Sequence, residues 1–251
     1  MLPYFANRAT LEGLYLQSTI MGGPIFYLLS EVSKTPSCPF VQYKCTAYNI
    51  QNSKDHFDLL GVSDYIAVSD ELIAQARSSD FLQEAAVYGP WHHFVNRKNV
   101  SLVDVVRQLP EEVKAENWRE LFYDWFISYK SNSRHLVVLD HKVVRRQSAA
   151  KIEEGQIAQP EVSCNPSLDV DFNRLVLTTS CPGKLHLLKF SFHDAWQTDS
   201  HDPLYLLSPG VMGLIPSTNR VTLTFGPVLL WQIAGVISFA SCLFSIVFAL
   251  W

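Results

Sequence analysis

Apolar positions between residues 53 and 95 alternate between helical and strand spacing. The segment KDHFDLL predicts a short helix that ends at Gly61, since glycine readily takes the left-handed conformation of helix ends. Ser69, with two acidic residues after it, predicts the start of a second helix. The predicted strands are Tyr65–Val68, Phe81–Val87 and Trp91–Val95. This region has the pattern of a small α/β unit.

Beyond residue 162 the pattern changes to short apolar runs separated by the turn segments CPG, DSHD, SPG and PSTN. The predicted strands are Arg174–Thr179, Lys184–Phe192, Pro203–Leu207, Val211–Ile215 and Arg220–Phe225. Regular turn spacing favours an antiparallel β-sandwich. Alternation in KLHLLKFSF is only partial, which indicates a strand covered on both faces.

The carboxy-terminal segment has no charged residue from Val221 to Trp251, a stretch of 31 residues. Its last 24 residues, from Val228, would reach about 36 Å as a helix, and a bilayer's hydrocarbon core is about 30 Å thick. Trp231 and Trp251 suit the two membrane interfaces. The sequence therefore predicts a transmembrane helix, which places the sandwich close to the membrane surface.

These patterns predict an α+β protein in which a small α/β unit is followed by an antiparallel β-sandwich and ends in one transmembrane helix. The expected organisation is an α/β subdomain over residues 1–100 and a connecting region with an aromatic cluster over 101–160. Sandwich strands follow over 161–226, and the transmembrane helix over 228–251.

Composition narrows the functional classes. The chain has 251 residues, a net charge of -4 and 18% charged residues, which excludes a disordered chain and a strongly basic nucleic-acid binder. We expect no nucleic-acid partner. No G-x-S-x-G, H-E-x-x-H, P-loop or G-x-G-x-x-G motif occurs, so no catalytic residue is assigned. The eight histidines lack the spacing of zinc ligands, and we predict no metal site and no cofactor.

Four cysteines lie outside the terminal helix, at positions 38, 45, 164 and 181, and three disulfide connectivities are open to them. Cys164 and Cys181 flank a predicted strand pair and would form a disulfide if the domain faces an oxidising space. Free, buried thiols are the alternative.

Several segments resemble a known group of bacterial polytopic membrane proteins, those labelled "6-pyruvoyl-tetrahydropterin synthase-related". The segments are, in order, LPYFANRATLEGLYLQST, SEVSKTPSCPF, HFDLLGVSDYIAVSDELIAQ, NWRELFYDWF and LVLTTSCPGKLHLLKFSFHDAWQ. The resemblance covers nearly the whole chain and corresponds to the carboxy-terminal, extracytoplasmic part of those proteins. More distantly, the order of the regions is similar to the soluble tail of GT-C-type membrane glycosyltransferases.

The resemblance implies an integral membrane protein with the bulk of this chain on the extracytoplasmic side. Met1 would then be internal to a longer protein, whose upstream membrane part is an expected partner. GT-C enzymes carry their catalytic acid near early transmembrane helices that this chain lacks. The implied role is an accessory domain that handles a glycan or a polyprenyl-phosphate sugar, at most part of a glycosyltransferase-like protein.

Arg8, Glu12 and Tyr15, within NRATLEGLY, are the first ligand-binding candidates. An arginine fork suits phosphate, glutamate accepts from sugar hydroxyls, and tyrosine stacks or donates. The alternative is an Arg8–Glu12 ion pair with a structural role. Trp196, beside the polar DSHD segment, is the fourth candidate, and we expect it to be at least partly exposed.

Two functions are the main hypotheses from the sequence; a third, that the domain is itself a hydrolase or transferase, has the least support because no catalytic set is recognised. The first is a non-catalytic accessory domain that binds a glycan or lipid-linked sugar. The second is a structural or interaction domain that docks on a partner membrane protein and binds no sugar. In both, the terminal helix would contact the lipid bilayer.

Overall fold

The computed structural model describes residues 10–11, 19–36, 38–114, 116–139, 150–159, 163–171, 173–226 and 229–249. Of the last range, the side chains of residues 233–242 and 245 are described. Three sheets and a set of short helices make up this part of the chain.

The helices are α1 (Gly22–Val32), α2 (Lys54–Leu60), α3 (Asp70–Ser78), α4 (Trp118–Ile127) and α5 (Leu229–Ala249). The amino-terminal strands are β1 (Asp64–Ala67), β2 (Leu82–Tyr88), β3 (Trp91–Asn96), β4 (Val103–Val105), β5 (Glu111–Glu112) and β6 (Leu136–Val138). The later strands are β7 (Ser167–Asp171), β8 (Arg174–Thr178), β9 (His186–Ser191), β10 (Trp196–Thr198), β11 (Leu204–Leu207), β12 (Val211–Leu214) and β13 (Arg220–Phe225).

The strands form a three-stranded sheet of order β1-β3-β2, a four-stranded sheet of order β10-β13-β8-β7 and a six-stranded sheet of order β4-β9-β12-β11-β6-β5. Neighbouring strands are antiparallel except for β5 and β6, which are parallel. The predicted α+β class with mostly antiparallel sheets is confirmed.

The four-stranded and six-stranded sheets face each other across a shared apolar core. The four-stranded sheet contributes Leu175, Leu177, Val221 and Leu223, and the six-stranded sheet contributes Val138, Leu188, Leu204, Leu206, Met212 and Leu214. Each of these side chains is at most 3% exposed. This packing is a β-sandwich, as predicted.

The opposite face of the six-stranded sheet is buried as well. In β11, Leu204 and Leu206 enter the sandwich core, whereas Tyr205 and Leu207 pack into a second core with Leu28 of α1. This second core also contains side chains of the α/β unit, among them Phe57, Leu60 and Phe94. Successive strand residues point to opposite faces of the sheet, and both faces are buried here. Every residue of β11 is therefore apolar and buried. The sheet is thus covered on both faces, which the partial alternation around β9 predicted.

Several elements lie in segments that the sequence patterns assign only in part, with HLVVLD as the one strand predicted between residues 101 and 160. Helix α1 begins with Gly-Gly-Pro, which resembles a turn, but Pro24 lies in the first helical turn, where no backbone N–H is needed. Residues 101–160, predicted as a connecting region, supply β4, β5 and β6 to the six-stranded sheet. The aromatic cluster of that region forms α4, whose Trp118 and Phe122 pack into the sandwich core.

A buried lysine joins the α/β unit to the six-stranded sheet. The Lys189 side chain on β9 is 3% exposed, and its Nζ donates to the Asp58 carbonyl of α2 at 2.6 Å. The same ammonium lies 2.8 Å from Oδ2 of Asp104 on β4. With its charge compensated in this way, the apolar stem of Lys189 bridges the two layers.

A transmembrane helix was predicted over residues 228–251, and the structure contains a helix at this position, α5, but does not support its crossing a membrane. All described side chains from Ile233 to Cys242 are exposed, including Val236 at 70% and Phe239 at 68%. Within the described part of the chain, no helix combines the length and the apolarity needed to cross a bilayer.

Gly213 tests the double coverage of the six-stranded sheet. A Cβ at this position would lie 2.7 Å from Leu207 Cδ1 and 3.1 Å from Tyr205 Cβ. We expect Gly213→Ala to lower the free energy of unfolding by about 1–3 kcal/mol, because the added methyl overpacks the core. Urea denaturation measures this change.

The matched control is Gly155→Ala, since no heavy atom lies within 4 Å of a Cβ built there. This variant should unfold like the parent protein. Equal unfolding midpoints for the two variants would contradict the tight packing at β12.

Candidate functional site

A polar surface cavity of about 470 Å³ lies between the 3-10 turn Ile50–Ser53 and the carboxy-terminal end of α3. The local sequence explains why the 3-10 turn and the end of α3 lie where they do and form the two walls of the cavity. Asn49 caps the 3-10 turn, its Oδ1 accepting from the Gln51 N–H, and α3 ends where Ser79 becomes extended and donates its N–H to the Ala76 carbonyl. The cavity is lined by Asn49, Gln51, Gln75, Ser78, Ser79 and Asp80.

Asp80 provides the negative charge of this cavity. Its Oδ1 accepts from Gln51 Nε2 at 2.9 Å, and its Oδ2 accepts from Lys54 Nζ at 2.9 Å. The hydrogen bonds from Gln51 and Lys54 hold the pKa of the Asp80 carboxyl below its usual value. The carboxylate is therefore ionised at neutral pH, and Lys54 compensates its charge.

Gln75 and Asn49 have amide nitrogens available to a ligand. Gln75 Oε1 accepts from the Ile50 N–H at 3.2 Å, which fixes the orientation of the side chain. The oxygens of both carboxamides are thus engaged by the backbone of the 3-10 turn. Within the described residues, neither Asn49 Nδ2 nor Gln75 Nε2 donates a hydrogen bond. The cavity combines carboxamide donors, serine hydroxyls and one carboxylate acceptor, a set that suits a polyhydroxylated ligand.

Of the ligand-binding residues predicted from the sequence, the structure describes Trp196, which does not line this cavity. Arg8, Glu12 and Tyr15 lie outside the described residues. Trp196 lies on β10, remote in the topology from α3, and is half-buried, with its ring 5.2 Å from that of Phe225 in an edge-to-face arrangement.

The polar segment after Trp196 is occupied with its own hydrogen bonds. Asp202 is 8% exposed, and its Oδ2 accepts from the hydroxyls of Ser200 and Ser217 and from the Ser217 N–H. Thr198 donates its hydroxyl to the Asp202 carbonyl. The polar side chains of this loop are therefore used to hold the loop itself.

The remaining tryptophans differ in exposure. Trp118 is buried in the sandwich core, and Trp125 donates its Nε1–H to the Arg134 carbonyl. Trp91 is 55% exposed and lies directly opposite Tyr88, which is 68% exposed, at the end of the β2–β3 hairpin. This exposed aromatic pair was not singled out from the sequence, because exposure cannot be read from residue type.

The buried histidines have structural partners. His56 Nε2 lies 2.8 Å from the Phe126 carbonyl, so this nitrogen carries a proton, and Nδ1 lies 2.7 Å from the Glu31 carboxyl. This pair ties α1, α2 and α4 together. His186 is fully buried, with Nδ1 2.7 Å from the Lys184 carbonyl and Nε2 2.8 Å from the Thr179 hydroxyl, and burial lowers its pKa.

Two properties of the described side chains concern metal binding and the ionisation of buried phenols. Among the described side chains, no cluster of three or more His, Cys, Asp or Glu residues is placed to hold a metal ion. Tyr65 and Tyr129 have pKa values raised to about 12 by burial, which keeps both phenols neutral. The cavity itself offers carboxamides, serine hydroxyls and the Asp80 carboxylate to a ligand.

Two disulfides are present in the structure. Cys164 is bonded to Cys181, the pairing that the flanking strands allowed, and Cys38 is bonded to Cys45. Cys242 is the free cysteine of the described residues and is exposed on α5.

Comparison with protein-family models, curated proteins and solved structures finds no match for this chain. The resemblance to the pterin-synthase-related membrane proteins and to GT-C tails thus stays a prediction.

His135 gives the described part of the chain a pH dependence. Its Nδ1 lies 3.1 Å from the Ser208 carbonyl, and burial lowers its pKa from 6.5 to about 4. Between these two values the unfolded chain binds the proton and the folded chain does not, so the free energy of unfolding falls as the pH drops from 6.5 to 4. We expect His135→Gln to weaken this loss between pH 7 and pH 5, as measured by urea denaturation at each pH.

The control removes an exposed histidine, His201, whose φ of 61° asparagine tolerates. His201→Asn should keep the parent's pH dependence. A parent-like decline in His135→Gln would show that burial of this imidazole does not set the acid sensitivity.

Proposed function

We propose that this chain is a non-catalytic, extracytoplasmic accessory domain of a glycosyltransferase-like integral membrane protein, and that it handles a glycan or the sugar part of a lipid-linked sugar. The observation that carries the proposal is the polar cavity beside α3. Its volume of about 470 Å³ is within the usual range for small-molecule sites.

The chemistry of the cavity favours a sugar over the other candidates. Sugar hydroxyls both donate and accept, and the cavity has amide donors in Asn49 and Gln75 and an acceptor in Asp80. A phosphate needs uncompensated positive charge, whereas the nearby Lys54 is paired with Asp80. The lipid tail needs an apolar wall, and the side chains that line the cavity are polar. The ligand is therefore the sugar itself.

Binding is favoured over hydrolysis for a similar reason. Glycoside hydrolysis generally uses two carboxyl groups that flank the scissile bond. Asp80 is the single carboxylate among the described residues that line the cavity. A single carboxylate, ionised and held by Gln51 and Lys54, acts as a hydrogen-bond acceptor for a ligand hydroxyl.

The two disulfides support the extracytoplasmic side. Disulfides form and persist in oxidising compartments and are rare in the cytosol of most organisms. The Cys164–Cys181 bond ties the segment before β7 to the end of β8, and the Cys38–Cys45 bond closes a short loop after α1.

Helix α5 supports the membrane part of the proposal. Its ten described residues from Ile233 to Cys242 are exposed on every side, whereas a helix of a water-soluble domain buries one apolar stripe. The absence of charge after Arg220 fits a lipid environment for these side chains. We propose that α5 is embedded in the bilayer and tethers the domain.

A second function, docking on a partner membrane protein, is favoured by the exposed pair Tyr88 and Trp91. Tyrosine and tryptophan are enriched at the energetic centres of protein interfaces. Ile66, 47% exposed on the adjacent β1, adds apolar surface to the same small sheet.

Glycan arrays and titrations with the full chain in nanodiscs test the two functions. Gln75→Glu keeps the Oε1 acceptor for Ile50 and removes the amide donor, and Asp80→Asn removes the charged acceptor. We expect Asp80→Asn to weaken sugar binding by about tenfold or more, since a hydrogen bond to a charged group contributes about 1.5–3 kcal/mol. Gln75→Glu should weaken it by about two- to tenfold, since a hydrogen bond between neutral groups contributes about 0.5–1.5 kcal/mol.

Trp91→Ala is the matched control, because its side chain is exposed on β3 and lies outside the cavity. It should bind sugar like the parent protein. If the parent protein binds none of the sugars, the sugar-binding function is refuted. If the parent protein then retains a membrane protein partner and the Trp91→Ala variant does not, the docking function is established.

A further inference from the structure

An aromatic cluster lies at one end of the four-stranded sheet, where β13 ends. The Phe225 ring lies 5.2 Å from the Trp196 ring and 5.2 Å from the His193 ring. Trp196 and Phe225 are paired residues on the antiparallel strands β10 and β13. The Trp196 and Phe225 rings are half-buried, and the His193 ring is 46% exposed.

A charged residue and a hairpin turn share this end of the sheet. Arg174 of β8 pairs with Thr224 of β13, and the Phe225 N–H donates to the Asn173 carbonyl at 2.8 Å. Asn173 is exposed, and the Arg174 side chain is 56% exposed. The opposite end of the same sheet contains Arg220, paired with Thr178.

The same end is also joined directly to α5. Phe225 is four residues before Leu229, the first residue of the helix, and four extended residues reach at most about 14 Å. Gly226 donates its N–H to the Ala195 carbonyl at 3.2 Å, which holds the chain against β10 at the point where it leaves the sheet. The start of α5 is therefore close to Trp196 and Arg174.

From this juxtaposition we infer that the end of the sandwich formed by Asn173, Arg174, His193, Trp196 and Phe225, here named the foot, sits in the headgroup layer of a phospholipid bilayer. The inference rests on the proposed embedding of α5 in the bilayer. It assigns Trp196 to lipid contact, in place of the sugar binding predicted from the sequence.

The chemistry of the foot matches phospholipid headgroups. Tryptophan prefers the membrane interface, where its ring meets apolar chains and its N–H meets water and polar headgroups. The Arg174 guanidinium can reach lipid phosphates, and its nearest acidic contact, Asp171, lies 3.9 Å away at the edge of ion-pair range. Asp194, 3.2 Å from His193, adds a negative charge beside the foot, so this end of the sandwich carries both signs and fits zwitterionic headgroups.

Nitroxide labels on the full chain in phosphatidylcholine nanodiscs test the inference by their accessibility to oxygen and to a water-soluble nickel chelate. Native Cys242 reports on α5. On a Cys242→Ser background, Asn173→Cys reports on the foot, and Arg220→Cys is its matched control at the far end of the sheet. Five strand residues separate the two ends, about 17 Å.

We expect the Cys242 label to be shielded from nickel, the Asn173→Cys label to be intermediate, and the Arg220→Cys label to be fully accessible. Replacing the nanodisc lipid with brominated lipid should also quench the tryptophan fluorescence of Trp196→Phe less than that of the parent protein. If the labels at Asn173→Cys and Arg220→Cys are equally accessible to the nickel chelate and the Cys242 label is shielded, the foot does not sit in the headgroup layer, but α5 is still embedded in the bilayer. A nickel-accessible Cys242 would overturn both.

Discussion

The six-stranded sheet is covered on both faces, and the rest of the described structure depends on this constraint. Its strands must supply apolar side chains on alternate sides, so Leu206 enters one core and the neighbouring Leu207 the other. The two cores then fix what packs against them, the four-stranded sheet on one side and α1 with the α/β unit on the other. Gly213 shows how little space is left, since even a methyl group there meets Leu207 and Tyr205. A chain built this way does not separate into independent halves.

Buried polar groups determine how the layers are aligned. Apolar surfaces can slide, whereas the Lys189 ammonium must reach both the Asp58 carbonyl and the Asp104 carboxylate to offset its desolvation. The pair of Glu31 and His56, each 3% exposed, imposes the same requirement on three helices, because its ring also needs the Phe126 carbonyl. The α/β unit that contains the polar cavity is thereby held at one position on the sheet.

Sequence patterns predict the parts of this fold whose signal is local. The helix that ends at Gly61 has its glycine in the left-handed conformation, with φ 70°, and the strands from Arg174 onward follow apolar runs between turn residues. The sheet neighbours of β6 depend on contacts far apart in the chain, such as Leu206 with Val138, which no local pattern encodes. The cavity escaped prediction for the same reason, since Gln51 and Asp80 meet across 29 residues. Among the predicted ligand residues, Trp196 shows what the local sequence cannot distinguish. A tryptophan beside polar residues has the same sequence pattern whether it binds sugar or packs on Phe225.

The location of the two proposed binding surfaces follows from the same layered arrangement. The cavity belongs to the α/β unit on one face of the six-stranded sheet, and the foot belongs to the four-stranded sheet on the other face. If the foot contacts the bilayer as proposed, the strands of the four-stranded sheet rise from the lipid surface, because the foot is an end of that sheet. The proposed sugar site would then lie to one side of the sandwich, behind the six-stranded sheet. Lys54 is paired with Asp80 and so offers no free positive charge to a lipid phosphate, which agrees with the proposal that the ligand is contacted through its sugar hydroxyls.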